Sequence, residues 1–188
     1  MAKHDLNPLT ALGHDLPEVI AIGPYLIKER FDVALASVAM RRGRDKDLAK
    51  AAKAAGVPLP APARAEIVTP YSAFWVAPEM WIVEADFGSH EDIAGHLKLV
   101  LGDAASITEQ TDAWVRFDIS AADLSPLLER LSNLDLASLP IGYASRTVIE
   151  HLGAYLIKRR ETEVTLYGPR ASAQSLLHAL EVTAKSVI

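Results

Sequence analysis

The predicted order of strands and helices repeats along the chain, and this repeat restricts the fold more than any other feature. Residues 31–40, FDVALASVAM, carry the small and branched apolar side chains that are typical of a buried strand. The next segment, DKDLAKAAKAA, predicts a helix that Asp45 caps and Gly56 ends. SAFWVA and MWIVEAD then predict two short strands around a tight Pro78–Glu79 turn.

A helix completes the first unit, and the second half of the chain follows the same order. Ser89 is the predicted cap of SHEDIAGHLKLVLG, in which Leu97 and Val100 belong to one apolar face. TDAWVRFDIS predicts a half-buried strand whose polar positions include Arg116 and Asp118. It is followed by a helix in AADLSPLLERLSNLDL, one long strand in SRTVIEHLGAYLIKRR, a strand in EVTLYG and a closing helix.

Two βαββα units offset by about 80 residues predict a duplicated α+β fold. The first half spans residues 31–105 and the second half residues 106–188, and together they form one compact domain.

Residues 1–30 precede these units and show no helical or strand period, because prolines and glycines interrupt their apolar side chains. The segment is therefore predicted to be an extended N-terminal arm. Two alternatives remain for it: the arm packs back on its own domain, or it clasps a partner. An apolar arm that stays exposed is prone to aggregation, so a partner would have to cover it. In that second case Leu9, Leu12 and Tyr25 are the predicted contact residues.

Composition excludes several classes of function. The net charge of −5 disfavours general nucleic-acid binding, which needs dense Lys and Arg. Without cysteines the chain has no disulfides, thiolate metal sites or cysteine nucleophiles. The N-terminus lacks the uninterrupted apolar run of about 7–15 residues of a secretory signal. No segment approaches the roughly 18 apolar residues of a membrane span. We therefore expect a soluble, cytoplasmic protein that binds neither membranes nor nucleic acid.

Motifs for catalysis or cofactor binding are missing from the sequence. There is no G-x-G-x-x-G, no G-x-x-x-x-G-K-[ST] and no G-x-S-x-G. His90 and His96 lie six residues apart, which places them on different faces of a continuous helix. Glu84 and Asp86 are interpreted as part of a solvated strand face. We predict no catalytic, cofactor-binding or metal-binding residue in this chain.

Two basic runs and two tryptophans are the candidates for contacts with other chains. Arg41, Arg42 and Arg44 begin a run that continues along the first helix, and KRR at residues 158–160 forms the other run. Each run is either a solvated face or a contact with an acidic partner surface. Trp75 and Trp81 flank the Pro-Glu turn. One of them is predicted to pack in the core against the Leu97 helix face, with subunit contact as a further role.

The ordered segments GVPLP, SAFWVAPEMWIVEAD, TDAWVRFDISAAD, NLDLASLPIGYASRT and EHLGAYLIKRR together resemble the gamma subunit of heterotetrameric sarcosine oxidase. The similarity covers residues 28–188. This chain departs from the family pattern at Val76 and Ala77 before the proline, and at Met80, where a second acid is common.

The resemblance implies a fold similar to the folate-binding domain of the glycine-cleavage aminomethyltransferase. It also implies an accessory subunit without a catalytic centre, so that the enzyme is the oxidoreductase complex rather than this chain alone. The partners would be alpha, beta and delta subunits, and FAD, FMN, NAD and tetrahydrofolate would be bound by those other subunits. Such a complex demethylates sarcosine, giving glycine, methylenetetrahydrofolate and hydrogen peroxide.

Two alternatives to this function stay open. One is a gamma-like subunit of a related N-methyl amino-acid oxidoreductase, such as N-methylglutamate dehydrogenase. The other is an independent folate-binding or aminomethyl-transferring protein. The second would need a carboxylate aimed at the pterin, for which Asp118 and Asp135 are the candidates.

Overall fold

A computed structural model describes residues 8–188, which form eleven strands and five α-helices. The strands are β1 (Val19–Ile22), β2 (Tyr25–Arg30), β3 (Val33–Met40), β4 (Ala65–Glu66), β5 (Ser72–Ala77), β6 (Met80–Asp86), β7 (Ala105–Glu109), β8 (Trp114–Ser120), β9 (Ala144–Ile149), β10 (Leu152–Arg160) and β11 (Glu163–Pro169). The helices are α1 (Asp45–Ala55), α2 (Phe87–His90), α3 (Ile93–Leu101), α4 (Ser125–Leu131) and α5 (Ala173–Ser186).

The strands form two antiparallel sheets. The five-stranded sheet has the order β4-β5-β6-β3-β7, and the six-stranded sheet has the order β1-β2-β8-β11-β10-β9. In each sheet a three-strand run lies beside the first strand of its half: β4-β5-β6 beside β3, and β9-β10-β11 beside β8. The mixed α and β architecture predicted from the sequence is confirmed, whereas an origin by duplication stays a prediction.

Successive residues of each strand point to opposite faces of its sheet, so that each sheet packs against helices on one face and against the other sheet on the other. The result is four layers in the order helices, sheet, sheet, helices. In β8, Val115, Phe117 and Ile119 face outward into a core shared with α4 and α5. In β3, Ala36 and Val38 face outward into a core shared with α1 and α3. The alternate residues face the opposite sheet. A third cluster between the sheets is made of seven buried residues, which are Leu35, Ala65, Phe74, Ile82, Ala144, Ile157 and Tyr167.

The backbones of the two sheets meet at one corner. Arg64 forms an isolated antiparallel bridge with Tyr143, and Ala65 N donates a hydrogen bond to Gly142 O over 2.7 Å. Gly142 has φ +77°, and a Cβ at this position would lie 2.9 Å from Ala65 O. This close approach requires glycine.

The segment before residue 31 differs from the predicted extended arm. Residues 19–30 form a β1–β2 hairpin, and β2 pairs with β8 inside the six-stranded sheet. Tyr25 and Ile27 of this hairpin are buried in the core beneath α5. The preceding residues are tied down by Glu29, whose carboxylate accepts hydrogen bonds from Leu12 N and Glu18 N, both over 3.1 Å. Residues 1–7 of the predicted arm lie outside the described part of the chain.

Two further predictions about secondary structure are corrected. SRTVIEHLGAYLIKRR is a hairpin of β9 and β10 rather than one long strand, and it turns at Glu150, whose φ is +54°. Ser89 does not cap a single helix, because Asp86 caps α2 and Asp92 caps α3 by accepting from Gly95 N over 2.9 Å. Val100 is 43% exposed rather than buried.

The first helix is predicted well at its end and less well at its start. Helix α1 stops at Gly56, which adopts the left-handed conformation with φ +67°. Asp45 is its first residue but does not cap it, because the N-cap position is Arg44 and no side chain accepts a hydrogen bond there. The predicted Pro78–Glu79 turn joins β5 to β6, with Glu79 at φ +61°.

Candidate functional site

A cluster of polar side chains lies between the two sheets, next to the apolar cluster there. We call it the inter-sheet polar cluster, and its residues are Arg30, Asp32, Glu84, Arg116, Asp118, Arg159, Thr165 and Tyr167. Seven of these side chains lie on the inner faces of strands by the two-residue period, so that Arg116 and Asp118 alternate with the apolar residues of β8. The eighth, Asp32, lies in the connection between β2 and β3. The polar face of β8 is therefore buried against the other sheet.

Glu84 is the member contributed by β6 of the five-stranded sheet, and Arg159 of β10 holds it from the other sheet. Arg159 Nη1 donates to Glu84 Oε2 over 2.9 Å, and Nη2 donates to Oε1 over 2.5 Å. Burial raises the pKa of Glu84, but the positive charges of Arg159 and Arg116 outweigh it and lower the pKa to about 2. The predicted solvated face at Glu84 is thus wrong, since the side chain is 6% exposed.

Arg159 and Lys158 also correct the prediction that residues 158–160 form a surface basic run. Both side chains are buried, and only Arg160 is exposed. Lys158 points to the opposite face of β10, where its Nζ donates to Leu136 O over 3.3 Å and Leu139 O over 2.9 Å. Lys158 therefore holds the segment that precedes β9, and Arg159 joins the two sheets.

Asp118 connects the arginines on the six-stranded sheet. Arg116 donates to both Asp118 oxygens over 2.9 Å, Arg30 Nη1 donates to Oδ2 over 3.1 Å, and Thr165 Oγ1 donates to Oδ1 over 2.6 Å. Arg30 also makes a two-pronged contact with Asp32 over 2.7 and 2.8 Å. That hydrogen bonding raises the pKa of Arg30 and lowers the pKa of Asp32. The arginines and carboxylates of the cluster thus neutralise one another.

Tyr167 closes the cluster on its apolar side. Its hydroxyl donates to Glu84 Oε1 over 2.5 Å, and its ring stacks on Phe74 with ring centroids 5.4 Å apart. Burial is the main cause that raises the pKa of the Tyr167 hydroxyl. The phenol therefore stays protonated and acts as a hydrogen-bond donor rather than as a base or nucleophile.

The cluster forms the floor of an open cleft between the sheets. The cleft has a volume of about 740 Å³, and its rim includes Lys28, Ile67, Ile141 and Arg160. Every buried side-chain polar atom in residues 8–188 has a hydrogen-bond partner. The buried part of this floor is therefore held together by ion pairs and hydrogen bonds within the chain, whereas Arg30 and Asp32 are partly exposed to the cleft.

Most of the residues predicted to contact other chains are exposed or half-buried and are scattered over the surface, whereas Tyr25 is buried. Leu9 is 48% exposed, Leu12 is half-buried against the core beneath α5, and Tyr25 is 3% exposed within that core. The arginines before α1 are exposed: Arg41 pairs with Asp103 over 3.3 Å and Arg44 with Asp47 over 2.8 Å. Tyr25 serves the fold and is not presented to a partner.

Trp75 and Trp81 are cross-strand partners on the helix-facing side of the five-stranded sheet. Trp81 packs against the cluster that contains Leu97, and its Nε1 donates to Pro60 O over 2.8 Å. The prediction that one tryptophan lies in the core against the Leu97 face is met in part, because Trp81 packs against that cluster but is itself only half-buried. Trp75 is half-buried and lies outside the three clusters of buried residues.

The two acids considered for pterin binding are placed differently. Asp118 is buried and fully engaged by the arginines and Thr165. Asp135 is exposed. Neither is a free carboxylate inside a cavity. In residues 8–188 no three or more His, Asp or Glu side chains converge in a way that could hold a metal ion.

Comparisons with known proteins support the fold rather than a sequence family. No family model and no curated protein matches this sequence. A chain of heterotetrameric sarcosine oxidase from Corynebacterium sp. U-96, solved in complex with pyrrole 2-carboxylate, matches with a TM-score of 0.76 at 15% identity. The match covers 90% of this chain and 88% of that chain. This protein has the fold of that oxidase chain. The resemblance seen in the sequence is thereby confirmed at the level of the fold.

The glycine cleavage system aminomethyltransferase T from Bartonella henselae matches less closely than the oxidase chain. Its TM-score is 0.59 at 11% identity, over 81% of this chain. Because the match covers 44% of the aminomethyltransferase, this chain spans less than half of that protein. The fold is thus similar to part of an aminomethyltransferase and to nearly a whole chain of the oxidase. Within the described residues, none of the helices is both long enough and apolar enough to span a membrane.

Proposed function

We propose that this chain is an accessory gamma subunit of a cytoplasmic, heterotetrameric sarcosine oxidase. The observation that carries the proposal is the fold match to a chain of such an oxidase, which spans 90% of this protein and 88% of its counterpart. A match over nearly the whole of both chains favours a counterpart of the same size and role. The ordered segments around the Pro78–Glu79 turn favour the same family.

The state of the inter-sheet polar cluster supports a role without chemistry in this chain. A general base or nucleophile must be free to reach a substrate. Glu84 and Asp118 instead accept hydrogen bonds from arginines of the same chain, and Tyr167 is held as a donor. These side chains fix the two sheets to each other and leave no free group for proton transfer.

In this proposal FAD, FMN, NAD and tetrahydrofolate are bound by the alpha, beta and delta subunits. A flavin or dinucleotide pyrophosphate needs closely spaced glycines at a turn from strand to helix. The β3-to-α1 connection is Arg41-Arg42-Gly43-Arg44, with one glycine, so the residues here do not fit such a group. The complex would oxidise the N-methyl group of sarcosine and pass the one-carbon unit to tetrahydrofolate, with release of hydrogen peroxide.

The contact with those subunits is proposed to use Trp75 and the basic end of α1. Arg42 is exposed and makes no ion pair within residues 8–188, unlike Arg41 and Arg44. The half-buried ring of Trp75 supplies apolar area near the exposed Pro78–Glu79 turn, which suits a protein interface. We propose that Leu9 and Leu12 of the N-terminal segment also contact the partner subunits.

Co-expression tests the proposal directly. The chain is expressed together with alpha, beta and delta subunits of a heterotetrameric sarcosine oxidase, and the assembly is purified through a tag on the alpha subunit. We expect this chain to co-purify in a flavin-coloured complex that turns over sarcosine. Omitting the chain should reduce the yield or the turnover of the complex. If the other three chains assemble and turn over sarcosine at the full rate without it, the proposal fails.

Substrate assays on the same complex separate sarcosine oxidase from the related N-methyl amino-acid oxidoreductases. Sarcosine and N-methylglutamate are compared at equal concentration, in the presence of an electron-accepting dye, with release of glycine or glutamate as the readout, because a dehydrogenase releases no hydrogen peroxide. If the complex prefers N-methylglutamate, this chain is still an accessory subunit, but the complex is an N-methylglutamate dehydrogenase rather than a sarcosine oxidase.

A second candidate is an independent folate-binding protein, which the fold match to part of an aminomethyltransferase favours. Calorimetry of the isolated chain with tetrahydrofolate tests it. We expect no saturable binding at millimolar tetrahydrofolate, because Asp118 is already engaged by arginines. Saturable binding that Asp118→Asn abolishes would support this second candidate instead.

A further inference from the structure

A break between two helices brings His90 and His96 together. Six residues apart on one continuous helix, they would point in different directions, which is the reason the sequence disfavours them as a pair. Helix α2 ends at His90 and α3 begins at Ile93, so the chain changes direction between them. The two imidazole centroids lie 5.6 Å apart with ring planes at 88°.

Neighbouring side chains orient His90. The ring of Tyr71 contacts it edge-on, with centroids 5.1 Å apart. Ser89 Oγ lies 2.9 Å from His90 Nδ1 and also 2.9 Å from Asp86 Oδ2. The position of this imidazole is therefore set by both an aromatic contact and a hydrogen bond, although the site lies at the surface.

The same hydrogen bonds determine which nitrogen of His90 carries the proton. An ionised carboxylate can only accept, so the single hydroxyl proton of Ser89 is donated to Asp86. With that proton used, Ser89 Oγ is left to accept, and we assign the ring proton of His90 to Nδ1, which lies 2.9 Å away. In the neutral imidazole this leaves a lone pair on Nε2, which is the form that binds metal ions.

We propose that His90 and His96 together bind one divalent transition-metal ion of the zinc, nickel and copper class. Imidazole is a preferred ligand for these ions. With Zn–N distances of about 2.0–2.1 Å and tetrahedral angles, two imidazole centroids lie about 5 Å apart. The observed 5.6 Å is close to this spacing, and the exposed His96, which makes no hydrogen bond within residues 8–188, would turn a ring nitrogen towards the ion.

The chain from Asp86 through Ser89 to His90 would act as the outer support of this site. Metal-binding histidines usually donate their second N–H to an oxygen that fixes the tautomer and the ring direction. Ser89 takes that role here, and Asp86 in turn holds Ser89. Water would complete the coordination, since the described residues offer no third converging ligand. Neither histidine belongs to the inter-sheet polar cluster, although Asp86 also lines the cleft above it. The site does not depend on the proposed subunit role.

Metal titration of the full 188-residue chain, with any purification tag removed, tests the proposal. Zn²⁺ binding is measured by calorimetry and Co²⁺ binding by visible absorption. We expect one ion per chain in the wild type and loss of that binding in both His90→Ala and His96→Ala. Ser89→Ala should weaken binding about tenfold, because it removes the support of the ring. The matched control is His178→Ala on α5, an exposed histidine that should leave binding unchanged.

Nitrogen-15 NMR of the metal-free chain gives a second, independent readout. We expect His90 to show the Nδ1–H tautomer and Ser89→Ala to shift it towards Nε2–H. Wild-type Zn²⁺ affinity in either histidine variant would overturn the proposal. The same holds for a lack of saturable binding at millimolar Zn²⁺, or for an Nε2–H tautomer at His90 in the wild type.

Discussion

Arg159 and Glu84 join the two sheets through a two-pronged ion pair, with donor–acceptor distances of 2.9 and 2.5 Å. Both side chains are buried, and Arg116 approaches the same carboxylate, with Nη1 3.7 Å from Oε1. Breaking such a pair leaves uncompensated charge inside the protein, which is far more costly than losing a surface pair. The stability of the layer between the sheets therefore depends on Glu84.

Glu84→Gln should destabilise the chain by about 3–5 kcal/mol, because it leaves Arg159 and Arg116 without their shared anion. Glutamine keeps the shape of the side chain, so the loss reports on charge rather than on packing. Urea unfolding followed by circular dichroism measures it. The control is Glu66→Gln, an exposed acid on β4, which should change the unfolding free energy by less than about 0.5 kcal/mol. Equal stability of the two variants would contradict the assignment.

Acid should remove the advantage that Glu84 gives to the folded state. Its pKa is lowered from 4.5 to about 2, so the unfolded state binds the proton first as pH falls. The stabilisation is therefore fully present above about pH 4.5 and is lost progressively towards pH 2. The difference in unfolding free energy between wild type and Glu84→Gln should shrink over this window. A difference that stays constant from pH 6 to pH 2 would show that Glu84 has an ordinary pKa.

Tyr167→Phe should cost about 1.5–3 kcal/mol, because a hydrogen bond to a buried carboxylate is lost while the ring remains stacked on Phe74. Tyr155→Phe is the matched control. Its ring also contacts Phe74, with centroids 5.6 Å apart, and the side chain is half-buried. Thermal unfolding of the two variants at neutral pH compares them. A smaller loss in Tyr167→Phe than in Tyr155→Phe would argue against the hydrogen bond to Glu84.

Glu29→Gln should loosen the N-terminal segment without unfolding the sheets. The carboxylate accepts from Leu12 N and Glu18 N, and an amide can accept on only one of its two sides. We expect faster hydrogen exchange at the Leu12 and Glu18 amides and faster proteolysis before β1. The strand amides of β8 and β11 should keep their protection. Lys28→Gln, at an exposed neighbouring position, should leave both amides as in the wild type.

Charge reversal at the start of α1 should weaken assembly with an acidic partner. Arg42→Glu combined with Lys46→Glu places negative charge on an exposed basic face. Such changes lower association rates, and salt screens the effect. Co-elution of the subunits at low and high salt measures it. Lys185→Glu, on α5 in the opposite outer layer, is the control and should assemble normally. Unimpaired assembly of the double variant at low salt would exclude this face.

The sequence predicts most elements because their side chains keep a clear period or a clear stop signal. The strand β3 and the end of α1 at Gly56 are examples, since the run of small and branched apolar residues and the glycine are both local signals. The sequence does not predict the β9–β10 turn, because the residue with positive φ there is Glu150 rather than the glycine or asparagine that usually indicates such a turn. His90 and His96 are separated by an interruption that a continuous apolar pattern conceals.

The inter-sheet polar cluster could not be predicted for a different reason. Arg116, Asp118 and Glu84 lie on the polar side of their strands, where a single sequence predicts solvent. Their burial is decided by which sheet covers that side, and such pairing is a tertiary property. The one local hint is Arg159, which follows the apolar residues 152–157 of β10 after a single lysine. An arginine at a buried position needs a buried anion, but the sequence around Arg159 does not indicate that this anion is Glu84.

The pairing of distant segments also has a consequence for how the chain is made. Glu84 leaves the ribosome 75 residues before Arg159, and β2 leaves it long before its neighbour β8. Until the C-terminal third of the protein is synthesised, the inner face of the first sheet lacks Ile157 and Tyr167, and the β1–β2 hairpin lacks the covering helix α5. Folding that waits for such late contacts is slow and leaves apolar surface open to aggregation. The nascent chain is therefore the state in which this protein has the greatest need of a chaperone.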